Sequence, residues 1–161
     1  MKHIATIGVY GGTVETFLAA LTDEGVGLLL DLRQRRGVRG PEYAWANSAR
    51  LQHALATAGI EYRHVKGLAP TTELRELQYR ADDLTGVGKR NRVRLAAEYS
   101  ARYTREILDP FDLAALVADL PSDRTTALFC VEHDPQACHR ALVAARLHTD
   151  HRLPVTDLYP D

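Results

Sequence analysis

The chain is poor in cysteine, with only two, and it has one tryptophan and one methionine. Two cysteines cannot build a disulfide scaffold, and without a C-x-x-C pair no recognised zinc module is present. Charge of one sign is also missing, since 20 basic residues meet 21 acidic ones for a net charge of −1. That balance gives no global case for nucleic-acid binding. No apolar run approaches the ~20 residues of a membrane span, and MKHIATIGVYGG enters a strand pattern without the apolar core of a signal peptide. A cytoplasmic location without membrane contact is therefore expected. Repeats, low-complexity tracts and linkers are absent, and GVYGG matches neither the dinucleotide nor the Walker phosphate loop.

What is present suits one globular domain over 1–161, with 45% hydrophobic and 25% charged residues. HIATIG reads as a first strand, and TVETFLAALTDEG as an amphipathic helix stopped at Gly25. GLLLDLR is apolar on both faces, as an interior parallel strand covered by helices would be. NSARLQHALATAG reads as a second helix, capped by Asn47 or Ser48 and ended by Gly59, and IEYRHV as a third strand. Residues 70–107 form a polar helical excursion, broken by a flexible loop at LTGVGKRN. FDLAALVADL is a further helix, TTALFCV a fourth strand, CHRALVAARLH a last helix and LPVTDLY a short closing strand. This alternation predicts a three-layer α/β domain, with a mostly parallel sheet of about five strands and helices on both faces.

Reactive side chains gather where these strands end. FCVEHDPQACHR places both cysteines, Glu132, Asp134, two histidines and Arg140 at one strand-to-helix crossing, where ligands of parallel sheets bind. Asp31 and Arg33 close the second strand on one side of it, Tyr62 and His64 close the third, and Cys130 and Glu132 close the fourth. Arg33 suits an anionic group, Asp31 and Glu132 suit acid–base work, and His64 suits a proton shuttle. The competing expectations are a structural Asp31–Arg33 pair, a loop-anchoring Glu132 and a hydrogen-bonded structural His64. Cys138, expected in the first turn of a helix, is the candidate nucleophile, because the helix terminus favours a thiolate. The competing expectation is a small buried residue packed beneath the helix, and Cys130, at the end of an apolar strand, is expected in the core. Arg140 and the loop amides could hold a phosphate there. Cys130, His133, Cys138 and His139 make a conceivable Cys2His2 set, but the spacing fits no zinc module and no metal site is expected. The loop 33–39, KRNRVR, Tyr43 and Trp45 could form a nucleic-acid footprint, with a solvated charged face the stronger expectation for 89–94.

These residues also resemble a known family. TIG with its glycine turn, LLLDLR, GIEYRHV and C-x-E-x-D-P-x-x-C-H-R are similar, over nearly the whole chain, to the bacterial and archaeal domain-of-unknown-function family 488. The resemblance implies a cytoplasmic α/β domain whose characteristic positions are Asp31, Arg33, Tyr62, His64, Cys130, Glu132, Asp134, Cys138, His139 and Arg140. RQRRGVRG and LAP depart from the usual family pattern beside the proposed site. A weaker likeness in layout, a strand ending in D-x-R and another ending in a cysteine loop, is to rhodanese-type sulfurtransferases.

The sequence thus leads to an enzyme, a hydrolase or transferase acting on an anionic, phosphate-bearing, nucleotide or nucleic-acid substrate. Its catalytic candidates are Asp31, Glu132, Cys138 and His64. Its substrate-binding candidates are Arg33, Tyr62, Cys130, Asp134, His139 and Arg140. The alternatives are a non-catalytic nucleic-acid or nucleotide-binding module and a thiol or sulfur-transfer protein. Cofactor and oligomeric state are not legible.

Overall fold

The computed structural model describes residues 1–161. Its strands are β1 (Ile4–Ile7), β2 (Val26–Asp31), β3 (Glu61–His64), β4 (Thr125–Phe129) and β5 (Val155–Asp157). They form one sheet in the order β3-β2-β4-β1-β5, and every pairing is parallel. The helices are α1 (Val14–Asp23), α2 (Ser48–Thr57), α3 (Thr72–Thr85), α4 (Ala97–Tyr103), α5 (Leu113–Asp119) and α6 (His139–His151). A π-helical segment, Thr104–Leu108, continues α4. None of these helices is long and apolar enough to cross a membrane.

Period-2 alternation along the interior strands divides the core into two layers. Ile4, Leu28, Leu30 and Leu128 point to one face, where Leu74 and Leu77 of α3, Tyr99 and Tyr103 of α4, and Val143 and Leu147 of α6 cover them. Ala5, Ile7, Leu29, Ala127 and Phe129 point to the other, beneath Phe17 and Leu21 of α1 and Leu51 and Leu55 of α2. The expected three layers are therefore present, and the apolar run in β2 is explained by burial on both sides.

Local signals set the ends of these elements. Thr13 and Thr16 cap α1 reciprocally, and Gly25 ends it at φ +72°. Asn47 is the N-cap of α2 by conformation, but its side chain accepts from the Val38 amide at 2.7 Å and so ties down the basic loop. Gly8 is required by close approach, since a Cβ there would lie 2.0 Å from the Glu132 carbonyl oxygen. That contact brings the turn after β1 against the loop after β4, whose Val131 carbonyl accepts from the amides of Val9 and Tyr10.

The chain leaves β1 and β2 toward one face of the sheet, and β3 and β4 toward the other. β4 lies between β2 and β1, so a switch of direction occurs on each side of it. A crevice opens at the carboxyl ends of strands arranged in this way.

Candidate active site

A cavity of about 680 Å³ fills that crevice. Tyr10 after β1, residues 33–39 after β2, Pro70, α3, the 88–92 segment and the 130–139 loop all contribute to its wall. Arg33, Arg35, Arg39, Arg75, Lys89, Arg90 and Arg92 line it, against a single carboxylate, that of Glu132. Three of these cations are neutralised by carboxylates: Arg33 by Asp31, Arg90 by Glu42, and Arg92 by Asp82 and Glu132. Arg35, Arg39, Arg75 and Lys89 have no carboxylate partner, so the cavity keeps a net positive field suited to an anion.

Both thiols and one imidazole lie together in the cavity wall. Cys130 Sγ is 4.0 Å and Cys138 Sγ 3.8 Å from His139 Nδ1. His139 Nε2 meets the Leu32 carbonyl oxygen at 2.8 Å. A carbonyl can only accept, so Nε2 carries a hydrogen and Nδ1 is left to exchange a proton with the thiols. Burial alone would push the Cys138 thiol up, but hydrogen bonding with Cys130, then the charges of His139 and Arg140, hold it well below the ordinary thiol range. Cys130 is pushed well above that range, first by its hydrogen bond with Cys138 and then by burial. The pair is thus asymmetric, with Cys138 the more readily ionised thiol and Cys130 its hydrogen-bond partner. Burial disfavours the His139 imidazolium, yet the neighbouring Cys138 outweighs this and raises its pKa.

These three donors, within 4.8 Å of one another, are also the group that could hold a metal ion. His133 does not join them, because its ring faces Asp161 at 3.2 Å, which breaks up the conceivable Cys2His2 set. The cationic wall around the trio disfavours a dication and favours an anionic thiolate.

Glu132 is 6% exposed. Its Oε1 accepts from Arg92 Nη2 at 2.7 Å, while its Oε2 is buried without a partner. Burial, followed by Cys138, raises its pKa, so the group is poised to take up a proton. Arg92 is itself clamped, donating to Asp82 Oδ2 at 2.6 Å and to the Ala137 carbonyl at 3.2 Å. Gln78 completes the network by donating to Asp82 Oδ1 at 2.9 Å. Lys89 is half-buried, and its charge survives burial because Glu132, Tyr79, Tyr10 and Cys130 favour it.

The other residues singled out in the sequence have mainly positioning places. Asp31 is 0% exposed, and its two oxygens accept from Arg33 N (3.1 Å), Arg33 Nε (2.9 Å), Arg33 Nη2 (2.8 Å) and the Tyr62 hydroxyl (2.6 Å). Every acceptor direction of Asp31 is used and none is exposed, so the group anchors Arg33 and Tyr62. Tyr62 is held by that contact and by Arg36 at 3.4 Å, outside the cavity lining. His64 also lies off the cavity, where Nε2 meets the Arg33 carbonyl at 2.8 Å. The histidine beside the reactive groups is His139.

Arg140 is 0% exposed and turns away from the cavity to donate to the carbonyls of Glu132 (2.7 Å) and His133 (3.3 Å). These bonds hold the loop that carries Glu132. Asp134 accepts from the Gln136 amide at 2.9 Å and caps the short 3-10 turn Pro135–Ala137. That turn displaces the start of α6, so Cys138 is its extended N-cap rather than a residue of its first turn. β4 likewise ends at Phe129, which leaves Cys130 in the loop.

The expected stacking surfaces are occupied by the protein itself. Trp45 packs on Phe17 at 4.9 Å, and the Arg90 guanidinium covers both Tyr10 and Tyr43, at 5.4 and 5.1 Å. Sequence reasoning missed Asp82 and Gln78, and it underrated Lys89 and Arg92 as a solvated face. The signal in the sequence was the glycine-flanked break at 86–88, which lets the chain turn inward after α3.

No curated protein and no solved structure matches this chain. A family model does match, over residues 13–147, and covers α1 through most of α6 with every residue of the cavity lining except Tyr10. The chain belongs to the family described as Domain of unknown function DUF488.

Proposed function

We propose that this protein is a small enzyme acting on an anionic, phosphate-bearing or similarly charged substrate, with Cys138 as its nucleophile. One observation carries the reading: the Cys130–Cys138–His139 group lies in the wall of a cavity lined by seven cationic side chains. The unpaired cations Arg35, Arg39, Arg75 and Lys89 would attract and orient the anion. His139 Nδ1 would take the Cys138 proton, and Glu132 would supply or accept a proton from its unpartnered Oε2. Arg33, Asp31, Tyr62 and Arg140 would hold the backbone that carries these groups. Two free thiols in a working site fit a reducing compartment such as the cytoplasm. A binding-only module is the weaker reading, since it needs open aromatic surfaces and has no use for a polarised thiol pair.

The test is the pH dependence of thiol alkylation in the intact protein and in Cys138→Ser. Alkylation is expected at Cys138, with an apparent pKa well below that of an ordinary thiol, and it should slow when pyrophosphate or a nucleoside monophosphate is added. Thiols that stay inert until the protein unfolds would overturn the proposal and return both cysteines to the core.

A further inference from the structure

We propose that Cys130 and Cys138 form an oxidisable dithiol, in which a hydroperoxide admitted to the cavity is reduced at Cys138 and the pair closes to an intramolecular disulfide. This inference rests on the reading of Cys138 as the reactive thiol. It adds a role for Cys130, a modification site and a second class of reactant.

The placement of the two sulfurs carries it. They come from different elements, one following β4 and the other capping α6, yet they lie within 4.8 Å of each other and share one imidazole nitrogen. Both border the cavity, so a small oxidant reaches them although each is buried. A disulfide requires the sulfurs at about 2.05 Å, which demands further approach. Cys138 can supply it, because its extended N-cap conformation leaves the side chain outside any capping hydrogen bond to the helix. Both backbones are anchored, Cys130 N to the Ile7 carbonyl at 3.4 Å and Cys138 N to the Pro135 carbonyl at 3.1 Å, so the sulfurs close by rotation of their side chains.

The chemistry balances within these groups and the peroxide. Cys138 gives its proton to His139 Nδ1, and its sulfur attacks one peroxide oxygen. An S–O bond forms as the O–O bond breaks, and the departing alkoxide or hydroxide takes the proton back from His139. The cationic wall stabilises the charge that develops on that leaving oxygen. Cys130 sulfur then attacks Cys138 sulfur, the S–S bond forms, the S–O bond breaks, and hydroxide leaves as water with the Cys130 proton. Two thiols lose two electrons, and the peroxide gains them. Closure also spares Cys138 from further, irreversible oxidation.

The experiment treats reduced, chelator-dialysed protein with equimolar hydrogen peroxide and follows intact mass and peptide maps. Wild type is expected to lose two hydrogens, yield a linked Cys130–Cys138 peptide pair and recover with dithiothreitol. Cys130→Ser and Cys130→Ala are expected to gain one and then two oxygens instead, and Cys138→Ser to form no product. Oxygen adducts in wild type without the linked peptides, or links between molecules only, would overturn the inference. If Cys138 alkylates readily but no link forms, the dithiol falls and the proposed function stands. If Cys138 neither alkylates nor oxidises, both fall together.

Discussion

Asp31 offers the sharpest division between support and chemistry, because both roles predict a loss on mutation but in different quantities. Asp31→Ala removes three contacts to Arg33, at 3.1, 2.9 and 2.8 Å, and one to Tyr62 at 2.6 Å. Arg33, 2% exposed, keeps its 2.8 Å bond to the Ala46 carbonyl but loses its counter-charge. Stripping one partner from a buried pair costs about 3–5 kcal/mol. In a 161-residue chain that lowers the melting temperature by about 6–20 °C, at roughly 2–4 °C per kcal/mol. Urea unfolding with an unchanged slope measures the loss directly. The double variant Asp31→Leu/Arg33→Met should lose far less than the sum of its single changes, since it leaves no orphaned charge. A second readout follows from Leu32, which lies between the paired residues and accepts from His139 at 2.8 Å. Loosening the pair should slow Cys138 alkylation together with the loss of stability. A cost below about 1 kcal/mol, or single effects that simply add, would refute the reasoning. Full stability in Asp31→Asn with abolished chemistry would return Asp31 to a catalytic role.

Four further outcomes are expected. Glu132 holds its proton more tightly folded than unfolded, so its contribution to stability is full below its ordinary range and is lost as pH rises from about 4.5 through its raised value; Glu132→Gln should flatten that part of a pH–stability profile, and an unchanged slope would count against it. Arg92→Met leaves Asp82 and Glu132 buried without their cation and should cost about 3–5 kcal/mol in urea unfolding, far more than Arg94→Met at an exposed position. Gly8→Ala places a methyl 2.0 Å from the Glu132 carbonyl oxygen and should cost about 1–3 kcal/mol while altering thiol reactivity, whereas Gly59→Ala touches nothing and strains only its own φ of +75°. Lys89→Ala should leave unfolding nearly unchanged but weaken protection of Cys138 by pyrophosphate several-fold, and that protection should fade with added salt in wild type.

The sheet was legible because its signals are local. Apolar runs in β1, β2 and β4 and glycine stops at Gly25 and Gly59 need no distant partner to be read, and the parallel order follows from their alternation with helices. Convergence of strand ends was legible for the same reason. Roles within the site were not, because each depends on a partner far along the chain. Arg92 reads as one cation among several until Asp82 and Glu132 close on it from ten and forty residues away. Asp31 reads as a catalytic carboxylate until four donors are found to fill it. His64 and His139 cannot be ranked from sequence, since each sits at the end of a strand or the start of a helix and only the fold shows which ring faces sulfur.

The consecutive residues Cys138, His139 and Arg140 show how one break in backbone geometry distributes chemistry. In a continuous helix neighbouring side chains fan out at fixed angles, and three adjacent residues cannot all serve one small volume. Here Cys138 is extended, at φ −136° and ψ 146°, and α6 begins only at His139. The break lets the sulfur lie toward the cavity while the histidine ring returns toward it and anchors on Leu32. Arg140 then reaches back across the loop to the carbonyls of residues 132 and 133, fixing the segment that carries Glu132. Pro135 and the Asp134 cap hold the preceding turn that makes the break possible. Asp134→Ala should therefore disturb thiol reactivity although Asp134 touches neither sulfur. A variant with unaltered alkylation kinetics and a loss of stability alone would show that the turn supports the fold without setting the site.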